Sequence, residues 1–400
     1  MKDNDQVTHM LFTPPVMTEA ELAVLDQIDG MRTGLQRQLY EPRRWAGSLR
    51  RLLSATAIQA SNSIEGYHAE LDDVAAVADR EEPIDADLET QLVLSGYREA
   101  MTYVLQLSRE PRVQYSEQLI KSLHFMMTSY DLNNRPGLWR AGSVYVNEDK
   151  TGEIVYEAPP FEGLDDLMAA MVADLNAPPD VQPMIRAAMA HLDLVMIHPF
   201  RDGNGRMARC LQTLILANEG VLAPQFCSIE EYLGNNPPAY YRVLAEVGGG
   251  AWHPERDTRP WIRFALVAHL YQARLLQIRI RESEALWVDL EKLIADRGLP
   301  ERSLPLLWDA AHRLRVRNAT YRKVLEDVSS EEVSEAAAGR DLKLAVERGV
   351  LRPHGEKRGR FYTATPELLG VWEAIKSRRP PLPSTDNVFI EAEQQLKLSG

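Results

Sequence analysis

The stretch His-Pro-Phe-Arg-Asp-Gly-Asn-Gly-Arg-Met-Ala-Arg, residues 198–209, lies between two segments in which apolar residues recur at helical spacing. The first segment, residues 182–197, should end near His198, because a residue before proline avoids the α-helical region. The second segment runs from Arg206 and should end at Gly220. The sequence therefore predicts a loop that leads into the N-terminus of a helix.

The residue types in this loop are suited to a polyphosphate. Gly203 and Gly205 permit positive φ angles, so the backbone N–H groups around Asn204 can converge on an anion at the start of the helix. Arg206 and Arg209 add full positive charge and planar groups of donors that bind phosphate oxygens. We predict nucleotide binding by these five residues.

A metal ligand and a base accompany the phosphate site. Asp202 offers a hard oxygen ligand of the kind that Mg²⁺ takes when it bridges phosphates. His198 can accept a proton at neutral pH. Phe200 should pack the loop into the core, and His124 and His191 are assigned to packing. Each feature alone has an ordinary structural explanation, but together they indicate attack of a hydroxyl on a nucleotide phosphate.

Composition limits the class of protein. The 400 residues are 45% hydrophobic and 26% charged, which is typical of a multidomain globular protein. No signal peptide or membrane-spanning run is apparent, and Cys210 and Cys227 form neither a disulfide framework nor a metal-ligand pattern. We expect a cytoplasmic protein without a membrane partner. The net charge of −13 argues against a protein that coats nucleic acid.

Most of the chain has helical periodicity, so the predicted fold class is mainly α. The exception is a predicted β-hairpin, in which Val144, Tyr145 and Val146 precede a turn at Gly152 and residues 154–156 follow it. An exposed hairpin edge could dock a target segment by strand addition. The alternative is a hairpin that only covers the core.

Residues 198–209 resemble the complete signature of Fic-domain (Fido) proteins, His-Pro-Phe-x-Asp-Gly-Asn-Gly-Arg-x-x-Arg. Similarity extends over roughly residues 45–275. The resemblance implies a helical fold with a β-hairpin flap and transfer of AMP from ATP to a Ser, Thr or Tyr hydroxyl, on a target protein or on the chain itself. It also implies roles for the loop residues: His198 as base, Asp202 as Mg²⁺ ligand, and Gly203, Asn204, Gly205, Arg206 and Arg209 on the phosphates. Transfer of another nucleotide or phosphate group stays open.

A second motif predicts regulation. Residues 61–66, Ser-Asn-Ser-Ile-Glu-Gly, end a predicted helix with Gly66 at the C′ position. Glu65 lies where the helix dipole disfavours negative charge, so it should have a cationic partner. The segment resembles the inhibitory motif of Fic proteins, which implies that Ser61 and Glu65 are inhibitory and that Glu65 contacts Arg209. A glutamate exposed beyond a frayed helix, or one that supports removal of AMP, are the alternatives.

The C-terminal part resembles a winged helix. A helix over residues 334–348 takes the recognition position, and Lys357, Arg358 and Arg360 lie on the wing. DNA is therefore a candidate partner, and a nucleotide-sensing DNA-binding regulator is the alternative function. Acidic residues such as Asp341 would weaken a phosphate interface, and the module could equally dock a protein.

Four regions are predicted, and a homodimer is left open because the sequence carries no marker for it. The regions are an N-terminal helical region over 1–115, a catalytic core over 116–275, a helical linker with the winged-helix-like domain over 276–379, and a flexible tail over 380–400.

Overall fold

The fold is mainly helical, as predicted, with two short β-hairpins. The computed structural model describes residues 11–40, 43–147, 151–178, 181–220, 222–329, 332–356 and 359–399. Within these ranges, no helix is long and apolar enough to span a membrane.

The helices of the first 250 residues include the two that flank the loop at residues 198–203. In chain order they are α1 (Glu19–Tyr40), α2 (Ala46–Ile64), α3 (Leu71–Ala78), α4 (Leu88–Leu107), α5 (Glu117–Thr128), α6 (Leu164–Asn176), α7 (Pro183–Ile197), α8 (Asn204–Asn218), α9 (Pro224–Cys227), α10 (Glu230–Asn235) and α11 (Pro237–Gly248).

The centre of the fold is the helix pair α7 and α8. Nearly every residue of both helices is buried, which is the pattern of a helix enclosed on all sides. Trp261 packs against α7 and its indole N–H donates to the carbonyl of Ala188 at 2.7 Å. Because the loop between α7 and α8 starts and ends in this core, its backbone is fixed at both ends.

The first hairpin lies beside that loop. Its strands are β1 (Tyr145–Asn147) and β2 (Ile154–Glu157), paired antiparallel with Tyr145 opposite Glu157. The hydroxyl of Tyr156 donates to the carbonyl of Met196 at 2.8 Å, so β2 is tied to the last turn of α7. The predicted hairpin is confirmed, although Val144 precedes the strand rather than belonging to it.

The C-terminal half is built on one long helix and a second hairpin. Its elements are α12 (Arg259–Arg297), α13 (Leu304–Ala311), α14 (Asn318–Ser329), α15 (Glu335–Glu347), β3 (Leu351–His354), β4 (Phe361–Ala364), α16 (Pro366–Lys376) and α17 (Val388–Ser399).

The order of these helices and strands matches the order from which the sequence analysis predicted a winged helix. β3 and β4 pair antiparallel, and Val316 adds an isolated bridge to Tyr362. The winged-helix assignment itself stays a prediction, and Lys357 and Arg358 lie outside the described residues. Asp341 differs from expectation, because it is buried and accepts hydrogen bonds from Arg302 at 2.7 Å and Tyr321 at 3.1 Å.

The structure differs from the predicted division of the chain at two places. The division at residues 275 and 276 falls inside the continuous helix α12. The tail predicted to be flexible contains α17, because Val388 and Ala392, four residues apart, bury their side chains where α17 packs against α1. The guanidinium carbon of Arg263 lies 5.0 Å from the ring centre of Phe389, in a cation–π contact. The tail was predicted to be flexible because a proline-rich segment precedes α17.

Candidate active site

Two residues in the left-handed region define the loop. His198 has φ 53° and ψ 55° and ends α7, and its N–H donates to the carbonyl of Leu194 at 3.0 Å. Gly203 has φ 78° and begins α8. This conformation is easy for glycine but costs a non-glycine residue about 1 kcal/mol or more, so other contacts must hold His198 in place.

The loop closes on itself through one side chain. Asn204 accepts the N–H of Phe200 at 2.9 Å through Oδ1 and donates to the Phe200 carbonyl at 3.0 Å through Nδ2. Both residues are buried, and Phe200 plugs the core as predicted. The Asn204 side chain is therefore structural, which leaves its backbone N–H for the predicted nucleotide.

His124 has a role that the sequence did not reveal. It stacks on Phe200 with ring centres 3.6 Å apart, Nε2 donates to the carbonyl of Asp202 at 2.9 Å, and Nδ1 accepts the N–H of Gly137 at 2.8 Å. Burial lowers the pKa of His124 to about 4, so the ring is neutral. It was assigned to packing, and the structure adds that it holds the backbone at Asp202.

The imidazole of His198 has the protonation pattern of a base. Its Nδ1 lies 3.1 Å from the carbonyl of Val195, which can only accept, so Nδ1 carries the proton and Nε2 presents a lone pair. Burial lowers the pKa of His198, with Arg140 adding to the decrease and Glu65 and Asp202 opposing it. The ring is therefore neutral and able to accept a proton at neutral pH.

Arg206 faces the loop. Only 1% of it is exposed, and its Nη2 lies 3.1 Å from Oδ2 of Asp202. Nη1 donates to the hydroxyl of Tyr130 at 3.4 Å, and the ring of Tyr67 lies 5.8 Å from the guanidinium carbon. Burial by itself lowers the pKa of Arg206, but Tyr130 and Asp202 outweigh it and the pKa is raised.

Arg209 faces the end of α2. Its Nε donates to Oγ of Ser61 at 2.8 Å, and Nη2 donates both to the Ser61 carbonyl at 2.9 Å and to Oε1 of Glu65 at 2.6 Å. Burial lowers the pKa of Arg209, but Glu65 outweighs it and the pKa is raised. The structure thus places Ser61 and Glu65, the two predicted inhibitory residues, in contact with Arg209, which is predicted to bind phosphate.

The carboxylate of Glu65 occupies the start of α8. Gly66 has φ 87°, so it ends α2 as the predicted C′ residue. A Cβ placed on Gly205 would lie 2.5 Å from Oε1 of Glu65, so the missing side chain is what lets the carboxylate approach. An anion at a helix N-terminus is stabilised by the helix dipole, and a phosphate would be stabilised in the same way.

Two buried donors at the site have no acceptor. Nε of Arg206 and Nη1 of Arg209 make no hydrogen bond with the described residues. Nη1 lies 3.2 Å from the position that a Cβ of Gly205 would take, so it points toward the loop. An unmet buried donor costs about 1–3 kcal/mol, and an anionic ligand would remove that cost. No side chain caps the first N–H groups of α8 either.

The donor set for a metal is small. Among the described residues, no group of three or more His, Cys, Asp or Glu is arranged to hold a metal ion. The side chain of Asp202 is 41% exposed at the edge of the loop. Mg²⁺ in phosphate-transfer sites commonly takes one or two carboxylates and completes its shell with phosphates and water. A single accessible carboxylate fits an ion of that kind.

The flap formed by β1 and β2 presents one open edge. Tyr145, at the start of β1, is 45% exposed. The end of β2 is partly covered, because the N–H of Glu157 donates to the carbonyl of Gly250 at 2.9 Å. In the described part of the chain, β1 has no strand partner other than β2. Docking of a target strand on Val144, Tyr145 and Val146 stays a prediction.

Comparison with known proteins finds a family that is similar to part of the chain. Residues 114–216 match the model of the Fic/DOC family. This segment of the chain is similar to the Fic/DOC family. The resemblance of residues 198–209 to the Fic signature is thereby confirmed.

Relatives of the Fic domain include two proteins from animals. The chain is 28% identical over 261 residues to protein adenylyltransferase Fic of Nematostella vectensis, covering 62% of this chain and 55% of that protein. It is 33% identical over 126 residues to protein adenylyltransferase fic-1 of Caenorhabditis briggsae, covering 31% of this chain and 22% of that protein. The chain thus spans about half of the first relative and less of the second.

Solved structures share the fold. A Fic family protein from Desulfovibrio desulfuricans G20 superimposes with a TM-score of 0.55 at 23% identity and covers 89% of this chain and 99% of its own. Residues 134–508 of Fic-1 from C. elegans give a TM-score of 0.52 at 22% identity and cover 64% of this chain and 71% of that one. At these identities the likeness concerns the fold alone.

Proposed function

We propose that this protein transfers AMP from ATP to a hydroxyl side chain of a protein, and that Glu65 restrains the reaction. The observation that carries the proposal is a neutral imidazole with a free Nε2 in the same loop as two buried guanidiniums with unmet donors. The relatives named protein adenylyltransferase support the same reaction.

The reaction follows from the positions of the groups. Nε2 of His198 takes the proton of a Ser, Thr or Tyr hydroxyl, and the oxygen forms a bond to the α-phosphorus of ATP. The bond from the α-phosphorus to the bridging oxygen breaks, and pyrophosphate leaves with that electron pair. Nucleotidyl transfer of this kind depends chiefly on positioning and on stabilisation of negative charge.

The phosphates would take the place that Glu65 holds. The backbone N–H groups of Gly203, Asn204 and Gly205 surround the start of α8, and the two guanidiniums of Arg206 and Arg209 supply the charge. Asp202 would hold Mg²⁺ against the phosphates, and the ion would neutralise part of their charge.

Glu65 would restrain the reaction by competing with ATP for the guanidinium of Arg209. The carboxylate pairs with Nη2 of Arg209, and ATP needs the same guanidinium for its terminal phosphates. Because Arg209 is buried, it cannot turn outward to bind a second anion. ATP must therefore displace Glu65 or bind with its phosphates out of line for transfer.

Labelled ATP tests the proposal. Wild-type, Glu65→Gly and His198→Ala proteins are incubated separately with ATP labelled at the α- or the γ-phosphate. We expect the α-label to be retained on Glu65→Gly protein or an added acceptor protein, with a weaker signal from wild type and none from His198→Ala. Retention of the γ-label instead would replace AMP transfer with phosphate transfer.

A further inference from the structure

One buried arginine outside the signature connects the base to the flap. Arg140 is 5% exposed and lies between α5 and β1. Its Nε donates to the carbonyl of His198 at 2.9 Å, and its backbone N–H donates to the carbonyl of Pro199 at 2.9 Å. Both peptide groups of the strained turn are therefore held by a single residue.

The other donors of Arg140 reach the flap. Nη1 donates to the carbonyl of Gly142 at 2.8 Å, just before β1, and Nη2 donates to that of Pro159 at 2.5 Å, just after β2. All of these acceptors are backbone carbonyls. The planar guanidinium fixes their relative positions, because its donors cannot move independently.

We propose that Arg140 is a positioning residue for AMP transfer, which sets the distance and orientation between the His198 base and the target strand on the flap. The inference rests on the proposed function. The left-handed turn at His198 gains its support from Arg140, and the same guanidinium anchors both ends of the surface on which the acceptor hydroxyl would be presented. Removing it should misplace the base relative to the hydroxyl, without touching the phosphates.

The positive charge of Arg140 affects the pKa of His198, and a merely structural role of Arg140 would leave that pKa unchanged. The charged groups that act on the pKa of His198 are Arg140 before β1, Glu65 at the end of α2 and Asp202 in the loop, beside the hydrogen bond with the Val195 carbonyl. Arg140 lowers the pKa of His198, so loss of its charge should move the titration of that imidazole to higher pH. A lysine keeps the charge but cannot donate to three carbonyls in the same geometry.

The test compares Arg140→Gln and Arg140→Lys in the Glu65→Gly protein. The control is Arg186→Gln, because Arg186 also donates to backbone carbonyls, those of Asp174 and Leu175, but at the far end of α7. Self-labelling or acceptor labelling with α-labelled ATP is measured against ATP concentration. The His198 imidazole is titrated by NMR.

For Arg140→Gln we expect a loss of labelling rate of about 10²-fold, since a small misplacement of reacting groups has costs of this size. The ATP concentration for half-maximal rate should stay within about three-fold, and the His198 titration should move to higher pH. Arg140→Lys should lose rate with little change in that titration. Arg186→Gln should keep the parent's rate and titration.

Several results would overturn the inference. They are an Arg140→Gln rate equal to that of the parent, a rate loss matched by Arg186→Gln, or a loss due wholly to weaker ATP binding. If the Glu65→Gly parent transfers no label, the proposed function fails, but the NMR titration still reports on Arg140, and an unchanged His198 titration would refute its contact with the base. If Arg140→Gln does not fold, Arg140→Lys still tests the positioning role, because an Arg140→Lys rate equal to that of the parent would overturn the inference.

Discussion

The loop between α7 and α8 has a base side around His198 and a phosphate side around Arg209, and the two sides differ in what their key residues contact. On the base side, His198 has the tautomer required of a proton acceptor, and its turn is held by Arg140. On the phosphate side, Arg209 is bound by Glu65 and Ser61. In the proposed reaction, the base side is thus organised before substrate binds, whereas the phosphate side must exchange one anion for another. Changes on the first side should slow the reaction, and changes on the second should release it.

The largest expected effect is on the base side. His198→Ala should lower the labelling rate by about 10²–10⁴-fold, the usual contribution of a general base. ATP binding should persist, because no phosphate ligand is altered. Rates from α-labelled ATP and ATP binding by calorimetry check both parts, with Glu65→Gly as the common background. Labelling at the parent's rate would remove His198 from the mechanism.

The next effect is on the phosphate side and has the opposite sign. Glu65→Gly should raise the labelling rate by about 10- to 100-fold, because a hydrogen bond to a charged group contributes about 1.5–3 kcal/mol. Glu65→Gln should give a smaller rise, since the amide can still accept from Arg209 without the charge. Glu70→Gln, at an exposed glutamate nearby, serves as the matched control and should leave the rate unchanged.

Equal labelling by wild type and Glu65→Gly would contradict restraint through Arg209. If Glu65→Gly labels less than wild type although it binds ATP equally well, Glu65 assists the chemistry, as in removal of AMP.

The smallest effect is a pH dependence that connects the two sides. The base must be neutral, and burial lowers the pKa of His198 below the ordinary histidine value of about 6.5. The rate should therefore change by less than about two-fold from alkaline pH down to about 6.5, and fall at more acid pH as the ring is protonated. In Glu65→Gly, which loses a carboxylate that raises this pKa, the fall should occur at lower pH still. A fall centred above 6.5 in wild type would contradict the neutral, buried base.

The elements that could be predicted from the sequence are those whose local residue pattern by itself determines the structure. The hairpin, the helix end at Gly66 and the loop between α7 and α8 follow from turn residues and periodicity, and the structure has all three. The similarity of residues 114–216 to the Fic/DOC family was recognisable because the Fic signature is long and contiguous. The roles of Glu65 and Arg209 stay predictions, although the structure places them in contact.

The residues that sequence reasoning missed act through tertiary contacts. Arg140 and His124 lie about 60 to 80 residues before the loop positions that they hold, and nothing in their local pattern marks them. Asp341 was expected to be an outward acidic charge, but burial pairs it with Arg302. Such pairings depend on which helices meet, and periodicity in one segment does not contain that information.

The most direct test is a crystal structure of the Glu65→Gly protein with Mg²⁺ and an ATP analogue that resists cleavage between the α- and β-phosphates. We predict that the terminal phosphates contact Arg206 and Arg209, and that the α-phosphate lies at the start of α8 on the side of Nε2 of His198. A nucleotide bound elsewhere, or one with its terminal phosphate nearest His198, would contradict AMP transfer by this loop.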